Sequence, residues 1–457
     1  MKLSPFWLAV VPGCLGVAFL ANSEVAHGAP YWAFTVLGIC LLAAIRWRPH
    51  SWFYTFTAVF FVLGCWLKLS VHHYFNYPYA EPTGAFSGMD HEWADYYALA
   101  STLGLALLTA RVMVIAFGRE DDARALGMLS KRAVTGLQWS GLVLVALLFY
   151  ALNNLAGFFI TGVEAKVNLP FGLNAPFAFM ALIGFAVVVS IFLARDVSSR
   201  QALDSRALLA VLTIASIASV SMASRAAIVM QAMPMLIAAT YVQLYRQRKP
   251  FSLRPFVFFS VFLTAVLVVV SIYRITLFSG SSTNNTELVG FYALESVLLI
   301  FDRWIGAEAL MVAVSEPTKA IGLTFQLLQE NAAIGNDAIY QLLAGSRYEF
   351  LQGLVFLTLP GYFAVIGLSG SLVFSFFATL TMALLGALYE RFVSSLLYRQ
   401  DVAVAVISAA LANALAQLSF PRLLVPFVFQ MTALVVLLHF WLKPAPGHAC
   451  GRTELKI

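Results

Sequence analysis

Charged residues that could take part in catalysis lie within one apolar stretch of the chain. The segment ESVLLIFDRWIGAEALM (295–311) carries Glu295, Asp302, Arg303 and Glu308 within about four helical turns. A carboxylate can act as a general base, and a guanidinium binds phosphate oxygens through paired hydrogen bonds. The stretch therefore predicts a site for proton transfer and anion binding. The alternative is that Arg303 pairs with Asp302 or Glu308 on a solvated helix.

Several basic residues lie at or near the ends of apolar segments, where an anionic ligand could be bound. They are Lys68, Arg225, Arg274, Arg347 and Arg422. Arg225 begins the segment RAAIVMQAMPML, and a helix N-terminus also favours anions. An arginine at the end of a span also commonly extends to lipid headgroups, so both interpretations stay open for Arg347 and Arg422. Arg111 is expected to extend to headgroups in this way.

The stretch VHHYFNYPYAEPTGAFSGMDHEWAD (71–95) is rich in aromatic and acidic residues. Aromatic rings stack on the apolar faces of sugars, and carboxylates accept hydrogen bonds from hydroxyls. The candidate substrate-binding residues here are His72, His73, Tyr77 and Glu81. The alternative is an aromatic belt at the membrane interface. No metal site is predicted, because the adjacent histidines lack a further ligand at a defined spacing.

The composition indicates which elements position these residues. Apolar residues make up 61% of the 457 residues and charged residues only 11%, against about a quarter charged in soluble domains. Repeated apolar runs of about 18 residues or more predict transmembrane helices. The fold class is therefore an all-α polytopic membrane protein. The net charge of +6 is attributed to basic loops on one side of the membrane and predicts no nucleic-acid partner.

About twelve spans, forming a single membrane domain over residues 1–457, give the most consistent topology. They lie near 5–22, 31–46, 52–70, 96–117, 138–159, 174–194, 207–223, 226–245, 255–273, 360–388, 402–419 and 424–442. The segment 354–388 could instead form two short spans broken at GLSGS (367–371). One tilted or interrupted helix is preferred, because two spans would place Arg391 and Arg399 outside.

The basic connections all fall on one side of the membrane under this topology. They are RWRPH (46–50), GREDDARALGMLSKR (118–132), RDVSSRQALDSR (195–206), YRQRKPFSLR (245–254) and ERFVSSLLYR (390–399). By the positive-inside rule that side is cytoplasmic, with both termini. The other side then carries 71–95 as a first external loop, the tight turn SMASRAA (221–227) and the long loop 274–359. The long loop is too apolar for disorder, so we expect its amphipathic helices to fold back on the membrane surface.

These external motifs resemble those of the Wzy-type polymerases of bacterial O-antigen and exopolysaccharide assembly and, more loosely, the O-antigen ligases. The resemblance rests on SMASRAA, on YRITLF (273–278) with its arginine at the start of the long loop, and on DRWIGAE (302–308). LKLSVHHYFNYPYAEPTGAF (67–86) and TLPGYFAVIGLSGS (358–371) are also similar to exopolysaccharide members. The likeness covers most of the chain as topology, although the motifs are short.

The resemblance implies a metal-independent membrane glycosyltransferase of the GT-C-like type, without a cofactor, in the bacterial inner membrane. Such enzymes transfer a growing chain from undecaprenyl diphosphate to a hydroxyl of a lipid-linked repeat unit at the periplasmic face. Donor and acceptor would both be undecaprenyl-diphosphate-linked oligosaccharides in membrane lipid, with a flippase and a chain-length regulator as further partners. Carried onto this chain, Arg225 and Arg274 would hold the donor diphosphate with Arg303 beside them, and Arg422 is a further candidate.

The acceptor hydroxyl needs a base. The ligases use a histidine of the long loop, whereas this chain has none between His91 and His439. This departure argues against a ligase and leaves Glu308 or Glu295 as candidates. The alternatives that stay open are a ligase-like transferase and a flippase or other transporter. A transporter would place polar groups near the bilayer midplane, and the predicted spans contain almost none.

Overall fold

The computed structural model is a helical bundle. It describes residues 5–22, 28–76, 79, 83–117, 133–161, 165–200, 202–247, 250–279, 306–329, 350–351, 354–355, 361–398, 400–416 and 424–442. Within these ranges the strands are a two-residue antiparallel pair, β1 (Phe350–Leu351) and β2 (Leu354–Val355). The helical membrane-protein class predicted from the sequence is confirmed for this part of the chain.

Eight helices within the described residues are long and apolar enough to cross a membrane. They are α3 (Trp52–Phe75), α4 (Asp90–Phe117), α5 (Gly136–Ala156), α6 (Pro170–Arg200), α8 (Arg225–Tyr245), α9 (Arg254–Ser279), α13 (Leu372–Leu396) and α15 (Leu424–Leu442). The remaining helices are shorter. They are α1 (Pro5–Asn22), α2 (Gly28–Ala44), α7 (Ser205–Ser221), α10 (Ala307–Ser315), α11 (Ile321–Gln329), α12 (Gly361–Gly367) and α14 (Asp401–Ala416).

The first external loop is shorter than the predicted 71–95. Helix α3 continues to Phe75, and α4 begins at Asp90, so the connection covers residues 76–89. Helix α4 begins early because Glu92 lies in its first turn, where a negative charge is favourable. The Glu92 carboxylate accepts hydrogen bonds from the Ser87 and Met89 backbone N–H groups at 2.9 and 3.1 Å. Part of the predicted loop is therefore helix.

The predicted span 360–388 is interrupted. Helix α12 ends at Gly367, and α13 begins at Leu372 and runs to Leu396. Gly370 adopts a left-handed φ of +67° between them, which glycine tolerates without steric cost. Ser371 then caps α13 by accepting a hydrogen bond from the Phe374 backbone N–H at 3.3 Å. The GLSGS segment is therefore a break between two helices, which agrees with the interrupted form of the predicted span.

Helix α14 lies at the centre of the bundle. Its sequence, DVAVAVISAALANALA, is built from small and β-branched apolar residues, and it is buried almost throughout. Helices α3, α6, α8 and α13 all pack against it. Small side chains allow helix axes to approach closely in membrane proteins, which explains why alanine predominates here.

The described residues of the basic connections 46–50, 195–206, 245–254 and 390–399 lie at one end of the bundle, which we call the basic end. Side chains near successive connections are hydrogen-bonded there, in the pairs Arg46–Tyr245 (3.5 Å), Gln247–Val197 (3.0 Å), Arg200–Val134 (3.1 Å), Ser51–Glu390 (2.7 Å) and His439–Leu396 (2.8 Å). The predicted segregation of basic loops to one side is therefore present for these four connections.

A buried carboxylate joins distant parts of the chain at the basic end. Glu390 on α13 accepts hydrogen bonds from the Trp52 and Phe53 backbone N–H groups, both at 2.8 Å, and from the Ser51 hydroxyl. The N–H groups in the first turn of a helix have no partner within the helix, and a carboxylate satisfies them well. Glu390 therefore caps α3 and ties it to α13.

The prediction that Arg111 extends to lipid headgroups is wrong. Arg111 is only 1% exposed. Its Nε donates a hydrogen bond to the Ala44 carbonyl oxygen at 3.2 Å. The guanidinium also bonds the Trp47 carbonyl and lies 5.3 Å from the centre of the Tyr54 ring. The segment 44–47 folds over the end of α4, so its carbonyls reach Arg111 before headgroups can.

We predict that Glu390→Ala destabilises the protein, because two backbone N–H groups and a hydroxyl lose their acceptor inside the bundle. The expected loss is about 1–3 kcal/mol of unfolding free energy, measured as a lower apparent Tm in detergent. Arg391→Ala is the matched control, since Arg391 is adjacent but exposed. Equal Tm values for the two variants would contradict the capping role.

Candidate functional site

Lys68 lies inside the bundle, about two turns before α3 ends. It directly follows a π-helical turn, Val62–Leu67, and its side chain is 0% exposed. Single π-helical turns within α-helices occur often at functional sites. The sequence predicted that Lys68 lies at the outer end of its span and binds substrate. The structure instead buries it among apolar helices.

Glu308 is the partner of Lys68. It lies in the first turn of α10, is 2% exposed, and forms an ion pair with the Lys68 ammonium. A buried charge is costly unless it is paired, so each of these residues needs the other. The pairing was not predicted, because Lys68 and Glu308 belong to different predicted segments.

Gly306, directly before α10, allows the start of this helix to lie close to α3. A Cβ atom on Gly306 would lie 2.8 Å from the Gly64 carbonyl carbon and 2.9 Å from Cys65 Sγ. Gly64 and Cys65 belong to the π-helical turn that precedes Lys68. The absence of a side chain at Gly306 therefore allows the close approach that brings Glu308 to Lys68.

Helix α10 differs from the expected surface helix. Every residue from Ala307 to Val314 is buried, and the helix packs against α4, α12 and the π-helical turn of α3. Such burial on all sides excludes an amphipathic helix lying on a membrane surface. This part of the predicted loop 274–359 is therefore inserted into the bundle.

The imidazole of His72 and the phenol of Tyr79 complete the group formed around the ion pair of Lys68 and Glu308. We call these four residues the Lys68 cluster. The His72 ring, 3% exposed, stacks on the Tyr79 ring with centroids 4.4 Å apart. The Tyr79 hydroxyl is buried, and it neither donates nor accepts a hydrogen bond within the described residues. Tyr79 was not among the predicted site residues, since the sequence does not distinguish it from the other aromatic residues of its loop.

The electrostatics of the Lys68 cluster are dominated by burial. Desolvation raises the pKa of Glu308 above its ordinary value, and Lys68 opposes that rise. Burial also raises the pKa of Tyr79 well above its ordinary value, with the negative charge of Glu308 adding to the effect. A carboxylate with a raised pKa binds a proton more readily than an ordinary one, which suits a general base.

A second group lies at the turn between α7 and α8, at the end of the bundle opposite the basic end. Ala223 in this turn has a left-handed φ of +49°, which costs about 1–2 kcal/mol for a residue with a Cβ atom. Its carbonyl accepts a hydrogen bond from Arg274 Nη1 at 3.0 Å. Arg225 begins α8 two residues later, with Ser224 as its N-cap. The structure thus places both predicted diphosphate-binding arginines at one turn.

Two asparagines, Asn153 and Asn154, hold the turn between α7 and α8 in place. Asn153 Nδ2 donates to Ser221 Oγ at 3.0 Å and to the Phe159 carbonyl at 2.9 Å. The neighbouring Asn154 accepts a hydrogen bond from the Tyr273 hydroxyl at 3.0 Å, one residue before Arg274. The sequence analysis missed both asparagines. The signal was the polar pair NN in the apolar segment ALNNLAG.

Of the other predicted site residues, the structure describes His73. The His73 ring lies 5.0 Å from the Trp93 ring, between centroids. The predicted residues that fall outside the described part of the chain are Tyr77, Glu81, Glu295, Arg303, Arg347 and Arg422. Their roles stay predictions.

We predict that Gly306→Ala displaces α10, because the added methyl group meets the backbone of Gly64, which has no room to yield. The expected cost is about 1–3 kcal/mol, seen as a lower Tm. Gly322→Ala is the control, since a Cβ there meets nothing within 4 Å.

A crosslink reports the position of α10 directly. A Cβ atom on Gly367 would lie 3.2 Å from the Ala313 Cβ and 2.8 Å from the end of the Leu99 side chain. Cysteines at 313 and 367 should therefore form a disulfide after a small shift of α10 and Leu99. The background keeps buried Cys65, which is part of the contact with position 306, and lacks the other native cysteines. Gly306→Ala should slow this crosslink, and Gly322→Ala should not. An unchanged rate in both would show that α10 docks without a glycine at position 306.

No protein-family model, no curated protein and no solved structure matches this chain.

Proposed function

We propose that the protein is a membrane glycosyltransferase that polymerises undecaprenyl-diphosphate-linked repeat units into a bacterial surface polysaccharide. The observation that carries the proposal is the placement of Arg225 and Arg274 at a single turn, where Arg274 bonds the Ala223 carbonyl at 3.0 Å. A pair of arginines at a helix N-terminus suits a diphosphate. The resemblance of SMASRAA and YRITLF to Wzy-type polymerases supports the same assignment.

The distribution of charge supports an external site. The described basic connections lie at the opposite end of the bundle from Arg225 and Arg274, and basic loops favour the cytoplasmic side. We therefore propose that the protein lies in the inner membrane with both termini in the cytoplasm and the arginine turn facing the periplasm. Lipid-linked repeat units are available for polymerisation on that side in the pathways that the resemblance implies.

The proposed reaction transfers the donor chain from the diphosphate to the acceptor hydroxyl. The acceptor hydroxyl oxygen forms a bond to the anomeric carbon of the donor chain as the bond from that carbon to the diphosphate oxygen breaks. The diphosphate leaves with the electron pair, and arginines stabilise its charge. The hydroxyl proton passes to a carboxylate, for which we propose Glu308, since it is the buried carboxylate of the Lys68 cluster; Glu295 is the other candidate.

The diphosphate role predicts that Arg225→Ala and Arg274→Ala each abolish long-chain polysaccharide when they replace the wild-type protein in its own bacterium. Polymer length on gels and protein amount by immunoblot are the measurements. Arg254→Ala is the matched control, since Arg254 also begins an apolar helix but at the basic end. Normal chain lengths in both site variants would rule out the diphosphate role.

The base role predicts that Glu308→Gln lowers turnover of purified lipid-linked repeat units roughly 10²–10⁴-fold, with the protein still folded. Glu295→Gln is assayed beside it. Loss of turnover in Glu295→Gln alone would transfer the role to Glu295, and full turnover in both would eliminate a carboxylate base.

One observation favours a second candidate, a flippase or other transporter. Lys68 and Glu308 are ionisable groups paired within the bundle, and Lys68 lies in a candidate membrane span. Such groups often mark a transport pathway. Reconstituted protein that moves a fluorescent lipid-linked sugar across vesicles without lengthening it would favour the transporter. Chain growth without such movement would favour the polymerase.

A further inference from the structure

We propose that Lys68 is the positioning residue for Glu308: its ammonium keeps the buried carboxylate ionised and fixes the first turn of α10 against the π-helical turn of α3. The inference rests on the proposed function, since it gives Glu308 its place in the transfer. Lys68 then acts on the proton acceptor Glu308, in place of the substrate binding that the sequence predicted.

The first support is geometric. Lys68 follows the π-helical turn directly, and a Cβ atom at position 306 would meet Gly64 and Cys65 of that same turn. The turn and the ion pair therefore both determine where α10 begins. Removing the ammonium leaves the apolar contacts in place but removes the group that orients the Glu308 side chain.

The second support is the charge environment of Glu308 within the described part of the chain. The described titratable groups that interact electrostatically with Glu308 are Lys68 and His72 on α3, Cys65 in the π-helical turn, Tyr79 in the loop, and Tyr96 on α4. Helix α12, which packs against α10, carries Tyr362, but its hydroxyl bonds the Ala378 carbonyl at 3.0 Å. Lys68 is the cation in ion-pair contact with Glu308, and burial of both partners strengthens its effect.

The direction of the pH effect follows from this arrangement. An opposite charge favours the ionised form of a carboxyl, so loss of the Lys68 charge raises the pKa of Glu308 further. Since the transfer needs the carboxylate, the acid limb of the rate profile then moves to higher pH. The ratio of the rate at about pH 8 to the rate at about pH 6 should rise roughly tenfold in Lys68→Met. In Lys68→Arg, which keeps the charge, the ratio should stay near that of the wild type.

Exchanging the charges of Lys68 and Glu308 distinguishes the positioning role of Lys68 from a contribution to stability alone. The double variant Lys68→Glu with Glu308→Lys keeps an ion pair between the same helices but moves the carboxylate to α3. It should form the 313–367 crosslink like the wild type and yet produce no polymer at any pH. Full activity of the exchanged pair would overturn the proposal, because the pair would then serve only the fold. A Lys68→Met profile that matches the wild-type shape and differs only in amplitude would overturn it as well.

A spectroscopic readout tests the inference without relying on polymerisation. Infrared difference spectra should show a protonated carboxyl band at neutral pH in Lys68→Met, lost in the Lys68→Met, Glu308→Gln double variant. Absence of that band would contradict the role of Lys68 whatever the protein catalyses. A band present in a protein that makes no polymer from lipid-linked repeat units would leave the Lys68–Glu308 relation standing and count against the proposed function.

Discussion

The ion pair between Lys68 and Glu308 is the interaction on which the architecture of this protein's candidate site depends. A lysine and a glutamate are both withdrawn from solvent inside an apolar bundle, where either charge alone costs several kcal/mol. Helix α10 must therefore enter the bundle for Lys68 to be paired. Gly306 and the π-helical turn of α3 provide the space for it. Residues 306–308, which end the DRWIGAE motif, thus lie inside the bundle and not on its surface.

The two ends of the bundle use charge differently. At the basic end, Glu390 caps α3 and Arg111 bonds backbone carbonyls, so these buried charges complete helix ends and connections. At the other end, Arg274 bonds the carbonyl of a left-handed Ala223, beside Arg225. A backbone conformation that is unfavourable for alanine is maintained there by the surrounding hydrogen bonds of Asn153. Strain of this kind often accompanies functional sites, which fits an anion-binding turn.

The sequence predicted the helical class, the apolar segments and the segregation of basic loops, because each depends on composition and on hydropathy over about 20 residues. The family resemblance paired Arg225 with Arg274, and the fold places both at one turn. The sequence did not predict the pairing of Lys68 with Glu308, since hydropathy along the chain carries no information on which helices meet. The insertion of α10 was missed for the same reason. Arg111 was misjudged because its partners are backbone carbonyls, which every residue possesses.

A structure determined with undecaprenyl diphosphate tests the central claim most directly. If the turn between α7 and α8 is the donor site, the diphosphate lies against the guanidinium groups of Arg225 and Arg274, at the end of the bundle opposite the basic connections. A diphosphate bound at the basic end, or one that leaves both arginines without contact, would contradict the account.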